Sequence, residues 1–159
     1  MTIDLLIRIA ALVALLSTAV VYGTDVFCAI VLRPALAAVD DRALVAVTGN
    51  VHRYGDRRMP VPGVLGIAAA AAAAVLAAVG SHWAQAALAS AALVPLLIWL
   101  ALYLRVSAPI NRRLTAASDA GLPLPDGRAL QAAWDRIINL RAVLQGVAVA
   151  ALGITLVLS

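Results

Sequence analysis

MPVPGVLGIAAAAAAAVLAAVGSHWAQAALASAALVPLLIWLALYL, residues 59–104, holds no Asp, Glu, Lys or Arg over 46 positions. A helix needs about 20 apolar residues to cross a bilayer, so this stretch is too long for one span and right for two. Gly80-Ser81-His82 supplies the turn between them, and Trp83 stands where an interfacial anchor belongs. The spans fall at about 61–79 and 83–104. The Ala68 to Ala74 run makes the first of them thin. Thin helices let backbones approach closely, which predicts a place in the tight interior of a bundle. Pro95 predicts a kink in the second.

Two more apolar segments flank this stretch, at about 5–32 and 137–158. The first is broken only by Arg8 near its start and Asp25 near its end, and Pro34 marks its boundary. Its opening residues include Asp4 and Arg8 instead of a basic cluster, and it stays apolar to Leu32, so it reads as a retained span and not a cleaved signal. The last carries Arg141 and Gln145 as its strongly polar members, with Gly146 and Gly153 as close-packing points. Composition agrees: 64% of the chain is hydrophobic and 13% charged, against roughly 25% charged in soluble domains. Such a chain cannot cover its core with polar surface, so lipid must be much of its solvent. The expected fold class is all-α: an integral membrane four-helix bundle with a short cytoplasmic amphipathic helix, one domain over residues 1–159.

Charge sets the orientation. The first connector holds Arg33, Arg42, Arg53, Arg57 and Arg58; the third holds Arg105, Arg112, Arg113, Arg128 and Arg136; the second has no Arg or Lys. The positive-inside rule then puts both basic connectors in the cytoplasm and both termini outside the plasma membrane. The net charge of +4 therefore reflects orientation and anionic headgroups, not nucleic acid binding. All basic side chains are Arg and all acidic ones Asp, which together with the abundant Ala reads as GC-rich bacterial coding. Between Asp40 and Tyr54, Leu44, Val47, Val51 and Tyr54 recur at helical spacing, predicting a short amphipathic helix lying along or against the bundle. Asp56 to Gly63 reads as a rigid turn, SAPINRRL carries the third span past Pro109, and Asp126 can cap the fourth helix after a loop at Gly121 to Gly127. The two halves share a plan of span, basic connector and span, without a convincing internal repeat.

Asp25 is the most informative residue. A carboxylate in a span costs roughly 2.5–3.5 kcal/mol, so it must face the interior and find a partner. Helical spacing puts Thr18, Tyr22, Asp25 and Cys28 on one stripe, and Trp134, Ile138, Arg141 and Gln145 on a matching stripe of the fourth span. Asp25 lies about 12 Å along the axis from Arg33, and Arg141 lies about one turn inside its own span. The depths match, which predicts an intramembrane Asp25–Arg141 pair. Two roles stay open for it: fastening the spans, or bordering a polar pocket for a small molecule or proton.

His52 and Asp56 are spaced to share a helix face opposite the Leu44 stripe, where the carboxylate can orient the imidazole as a proton carrier or ligand. Gly55 is a potential helix breaker between them, and a solvated or structural histidine is the alternative. His82, beside Trp83, reads as interfacial. Arg57-Arg58 and Arg112-Arg113 are topology determinants touching lipid phosphate, or an anionic-substrate or headgroup site where both connectors meet. Trp99 and Tyr103 are either belt aromatics or the lining of a pocket for a flat ring. Cys28 is the only cysteine, which excludes an internal disulfide, a CxxC pair and a Cys-based zinc site. No phosphate-cradling Gly loop, nucleophile elbow, HExxH or CxxCH motif is present, and no metal or cofactor is expected.

Gly23, Phe27 and Pro34-Ala35-Leu36 in the first segment, Asn111 within PINRRL, and Trp134-Asp135-Arg136 followed by Arg141 together resemble the family of small four-span membrane proteins related to the anthrone oxygenases. The likeness covers most of the chain on short motifs. It implies the four-span fold and, for some members, cofactor-free oxidation of polyketide anthrones, in which a base deprotonates the substrate and the carbanion meets oxygen directly. Ile138 stands where that family's His is expected, so the general base is missing there; His52, from another connector, is the substitute on offer.

The expected function is binding or oxidation of an apolar ring compound, such as a quinone or polyketide, near the cytoplasmic interface. Asp25, His52 and Arg141 are the candidate catalytic residues, and Tyr22, Trp99, Tyr103, Asn111 and Trp134 the candidate ligand contacts. The rival is a structural or accessory membrane subunit without catalysis. A small transporter fits less well, because four spans need oligomerisation to make a path. Expected partners are the lipid bilayer, an apolar small molecule, and a homo-oligomer or membrane complex, with no nucleic acid.

Overall fold

In the computed structural model, which describes residues 2–158, the first helix does not stop at Pro34. Helix α1 (Ile3–Phe27) passes into a π turn, Cys28–Leu32, and on into α2 (Arg33–Ala37). The turn is wide: the Arg33 N–H donates to the Cys28 carbonyl, five residues back. Proline lacks an N–H and its ring crowds the carbonyl four residues earlier, and a π turn just before it absorbs both defects. The same device recurs. Helix α5 (Trp83–Leu102) enters a π turn at Tyr103–Ser107, the Ala108 N–H donates to the Tyr103 carbonyl, and Pro109 then lies in the first turn of α6 (Ala108–Ala120). The boundary expected at Pro34 is thus overrun, to Ala37, while the third helix runs past Pro109 as expected, to Ala120. Helix α7 (Gly127–Val157) starts directly after Asp126, the expected cap, ten residues before its apolar part at about 137.

Between these runs lie α3 (Asp41–Arg58) and α4 (Pro60–Val79). Asp40 caps α3, its Oδ1 accepting the Ala43 N–H at 2.7 Å. Gly55 does not break this helix, and Met59 alone separates it from α4, whose Pro60 and Pro62 sit in the first turn, where backbone donors lack partners anyway. At the far end of α4, Ser81 adopts φ 61. The His82 N–H reaches the Ala77 carbonyl at 2.8 Å and the Ser81 N–H the Ala78 carbonyl at 3.1 Å, closing the helix with a Schellman motif. Gly121, φ 64, closes α6 in the same way. No strand occurs among the described residues. The runs Ile3–Ala37, Pro60–Val79, Trp83–Ala120 and Gly127–Val157 are long and apolar enough to cross a bilayer. The chain is an all-α, multi-pass membrane protein.

The inner face of α3 is not the expected one. Leu44, Val45, Thr48, Gly49 and His52 are buried, while Val47, Val51 and Tyr54 are 40–51% exposed. Beside Leu44 and Val45, the contact is made by residues that read as polar or helix-breaking. Thr48 satisfies its own hydroxyl on the Leu44 carbonyl at 2.8 Å, and Thr115 of α6 donates to the Gly49 carbonyl at 3.2 Å. Gly49 permits that approach, since a Cβ there would lie 2.7 Å from the Leu114 carbonyl oxygen and collide with Ser118. Gly49→Ala is expected to cost about 2 kcal/mol through displacement of α3, read as a lower melting temperature in detergent. Gly23→Ala, where a Cβ meets open space, should not lower it.

The contacts divide the chain into two units. One comprises Met1–Gly23, Val61–Trp99 and Val143–Ser159. Its core is built from small residues, with Ala11, Ala14, Ala70, Ala73, Ala89 and Ala148 at 0% exposure. Close approach is literal here: a Cβ on Gly66 would meet the Thr18 hydroxyl at 2.9 Å. Yet α4 is not an interior helix. It buries one face, Gly66 to Ala77, and leaves Val61, Val64, Val75 and Val79 exposed; its buried share, 33%, equals that of α1 and α7. The other unit comprises Thr24–Pro60 and Leu100–Ala142. It contains all the Arg and Asp residues except Arg8 and Asp4, and its core includes Leu44, Leu114, Trp134 and Ile138.

Candidate functional site

The site lies wholly in the charged unit. The last turn of α1 presents Asp25 to Arg141 of α7 in a forked pair: Nε donates to Oδ2 at 3.1 Å and Nη2 to Oδ1 at 2.8 Å. Both side chains are almost completely buried, at 4% and 7% exposure. The third arm, Nη1, donates to Ser107 Oγ at 2.7 Å. Ser107 closes the second π turn, so the widened backbone that accommodates Pro109 also contributes a ligand for the guanidinium. The rings of Trp134 and Tyr103 lie 5.5 and 5.9 Å from the guanidinium carbon, within cation–π range.

Next to this pair, Asp56 in the last turn of α3 accepts from Tyr103 Oη at 2.9 Å and from Asn111 Nδ2 at 2.9 Å. Asp56 therefore does not orient His52 as expected. His52 turns inward, and its ring meets Trp134 with centroids 5.6 Å apart and planes tilted by 50°. Burial pushes the imidazole pKa down to about 4; the Asp56 charge opposes this and the Arg141 charge adds to it. At neutral pH the ring is uncharged, one nitrogen a donor and the other an acceptor. His52 Nε2, Trp134 Nε1 and Asn111 Oδ1 are buried and have no hydrogen-bond partner among the described residues.

Nothing in the known protein families, the curated proteins or the solved structures matches this chain. Its chemistry is read from its own groups. Trp134 and His52 join the ion pair through ring contacts and Asn111 joins it through Asp56, and each of the three carries a buried polar atom, one donor, one acceptor and one of either kind.

Six of the eight expected site residues meet here: Asp25, Arg141, His52, Tyr103, Asn111 and Trp134. Tyr22 and Trp99 belong to the other unit. Tyr22 lies over Gly146, where a Cβ would be 3.3 Å from its ring. Trp99 is 7% exposed above Gly63, so it is no belt aromatic; the missing side chain at Gly63 makes the slot that buries it. Ile138, 0% exposed, packs in the core with Cys28, Leu44 and Trp134. Ser107 went unforeseen, although a polar residue two positions before Pro109, in the first turns after an apolar span, was the available sign.

Proposed function

We propose that this is a plasma-membrane protein with its Arg-bearing connectors in the cytoplasm and both termini outside, and that it binds a small apolar ring compound at His52, Trp134 and Asn111. The observation behind this reading is the group of three buried polar atoms without protein partners. Buried polar atoms are nearly always paired, and each left unpaired costs about 1–3 kcal/mol. A neutral ring carrying a carbonyl and a hydroxyl would accept from Trp134 Nε1 and donate to Asn111 Oδ1, with His52 serving either partner. The resemblance to the anthrone-oxygenase family favours a ligand of this kind. His52 would be its base, adjoining Trp134 one turn from the apolar Ile138. A base held near pKa 4 is poorly matched to proton abstraction at neutral pH, so binding is put ahead of oxidation.

The test is a titration of the detergent-purified protein with 1,8-dihydroxyanthraquinone, followed by tryptophan quenching. His52→Phe and Asn111→Leu should each weaken binding about tenfold, the worth of one hydrogen bond to a buried group, and Trp134→Phe should remove most of the quench. Unchanged affinity in all three variants sinks the reading. The accessory-subunit reading is favoured by one observation of its own: Asp25 and Arg141 satisfy each other and need no ligand.

A further inference from the structure

Arg53, Arg113, Arg128 and Arg141 each meet a carboxylate. Arg57, Arg58, Arg105 and Arg112 do not: no Asp lies within ion-pair distance of them among the described residues, and all four are exposed. They come from distant parts of the sequence, and Asp56 brings them to one place. Its Oδ1 holds Tyr103 and Asn111 at 2.9 Å each, Arg57 follows Asp56, Arg112 follows Asn111, and Arg105 lies two residues past Tyr103. The backbone positions of the four Arg residues thus lie around a single carboxylate that is already engaged by two donors. The C-terminal end of the α3 dipole explains a preference for cations at Arg57 and Arg58, but it does not reach Arg105 or Arg112.

The surroundings are amphipathic. Arg58 lies over the Tyr54 ring at 5.3 Å, and Tyr54 and Leu104 are 51% and 58% exposed. Arg58 precedes the membrane helix α4 by a single residue, and Arg105 follows the apolar part of the third crossing. Uncompensated guanidiniums next to exposed apolar side chains, where helices enter a bilayer, match a phosphate joined to acyl chains.

We infer that Arg57, Arg58, Arg105 and Arg112 form a binding site for the phosphate of an anionic phospholipid headgroup. The site shares Asp56, Tyr103 and Asn111 with the His52 cluster as a frame, but its four Arg side chains take no part in ligand binding there, so its test reads lipid retention and not ring-compound binding.

The test is native mass spectrometry of the whole protein in dodecyl maltoside with dioleoyl-phosphatidylglycerol or dioleoyl-phosphatidylcholine added. The wild type should hold discrete phosphatidylglycerol adducts at about one-tenth of the concentration needed for phosphatidylcholine, the step expected from a few phosphate contacts. Arg57→Gln, Arg58→Gln and Arg112→Gln combined should abolish that preference. The control pair Arg42→Gln and Arg136→Gln, also exposed and without a carboxylate, should keep it and reports on folding and general charge. Equal retention of the two lipids, or full retention by the triple variant, overturns the proposal. Displacement of the adduct by excess inorganic phosphate also overturns it, because the site would then take a free anion and not a lipid.

Discussion

Asp25→Leu is expected to remove most of the monodisperse protein recovered in detergent, and Asp25→Leu combined with Arg141→Met to restore much of it. Arg141 is 5% exposed and gives two of its three hydrogen-bonding arms to Asp25. With the carboxylate gone, a buried guanidinium loses its counter-charge, although the Ser107 contact and two aromatic faces remain. Removing one partner of a buried pair costs about 3–5 kcal/mol, because the other charge stays out of water. That is a large part of the 5–15 kcal/mol by which a typical protein is stable. Removing both charges leaves an apolar contact of similar volume, which is often close to neutral. The expected signature is therefore strong non-additivity: each single variant melts far below the wild type, and the double variant melts near it. If Asp25→Leu alone melts with the wild type, the pair does not fasten the helices, and the accessory-subunit reading loses its one supporting observation.

This pair was legible in the sequence for a simple reason. A charge inside an apolar helix must be paired, and helical spacing with matching depth left Arg141 as the partner for Asp25. The spans were legible from the charge-free stretch at 59–104. What was hidden follows from residues with two physical meanings. Pro34 reads as a stop, yet a π turn before it lets the helix continue; the continuation past Pro109 was legible, but not the π turn that carries it and delivers Ser107 to the site. On α3, Val47, Val51 and Tyr54 read as the buried stripe because they are apolar. In a protein whose solvent is partly lipid, apolar residues are equally at home outside, and small or self-satisfied residues such as Gly49 and Thr48 can mark the close contact instead. That inversion also hid His52, which seemed to lie on the outer face and instead meets Trp134. Tyr22 has the right helical spacing to join Asp25, but it falls on the apolar side of the division at Gly23 and packs on Gly146.

The buried imidazole makes stability depend on pH in a defined window. In the unfolded chain His52 takes up a proton near its ordinary value of 6.5, whereas in the folded protein it resists until about 4. Between these values the unfolded state binds a proton that the folded state refuses, so acid favours unfolding. The stabilisation is fully present above pH 6.5, declines as pH falls toward 4, and changes no further below that, where both states are protonated. The gap corresponds to on the order of 3 kcal/mol. Denaturant titrations in detergent at pH 7.5, 5.5 and 4 should show this decline in the wild type, and His52→Phe should flatten it while leaving any loss due to carboxylates in place. A limb that survives the substitution unchanged assigns the acid sensitivity elsewhere. The same measurement bears on function. A ligand held by the neutral ring stabilises only the unprotonated folded state, so saturating ligand should move the folded-state titration to still lower pH and extend the limb below pH 4. A ligand that prefers the imidazolium does the reverse, and an anionic ring compound would reveal itself by that opposite sign.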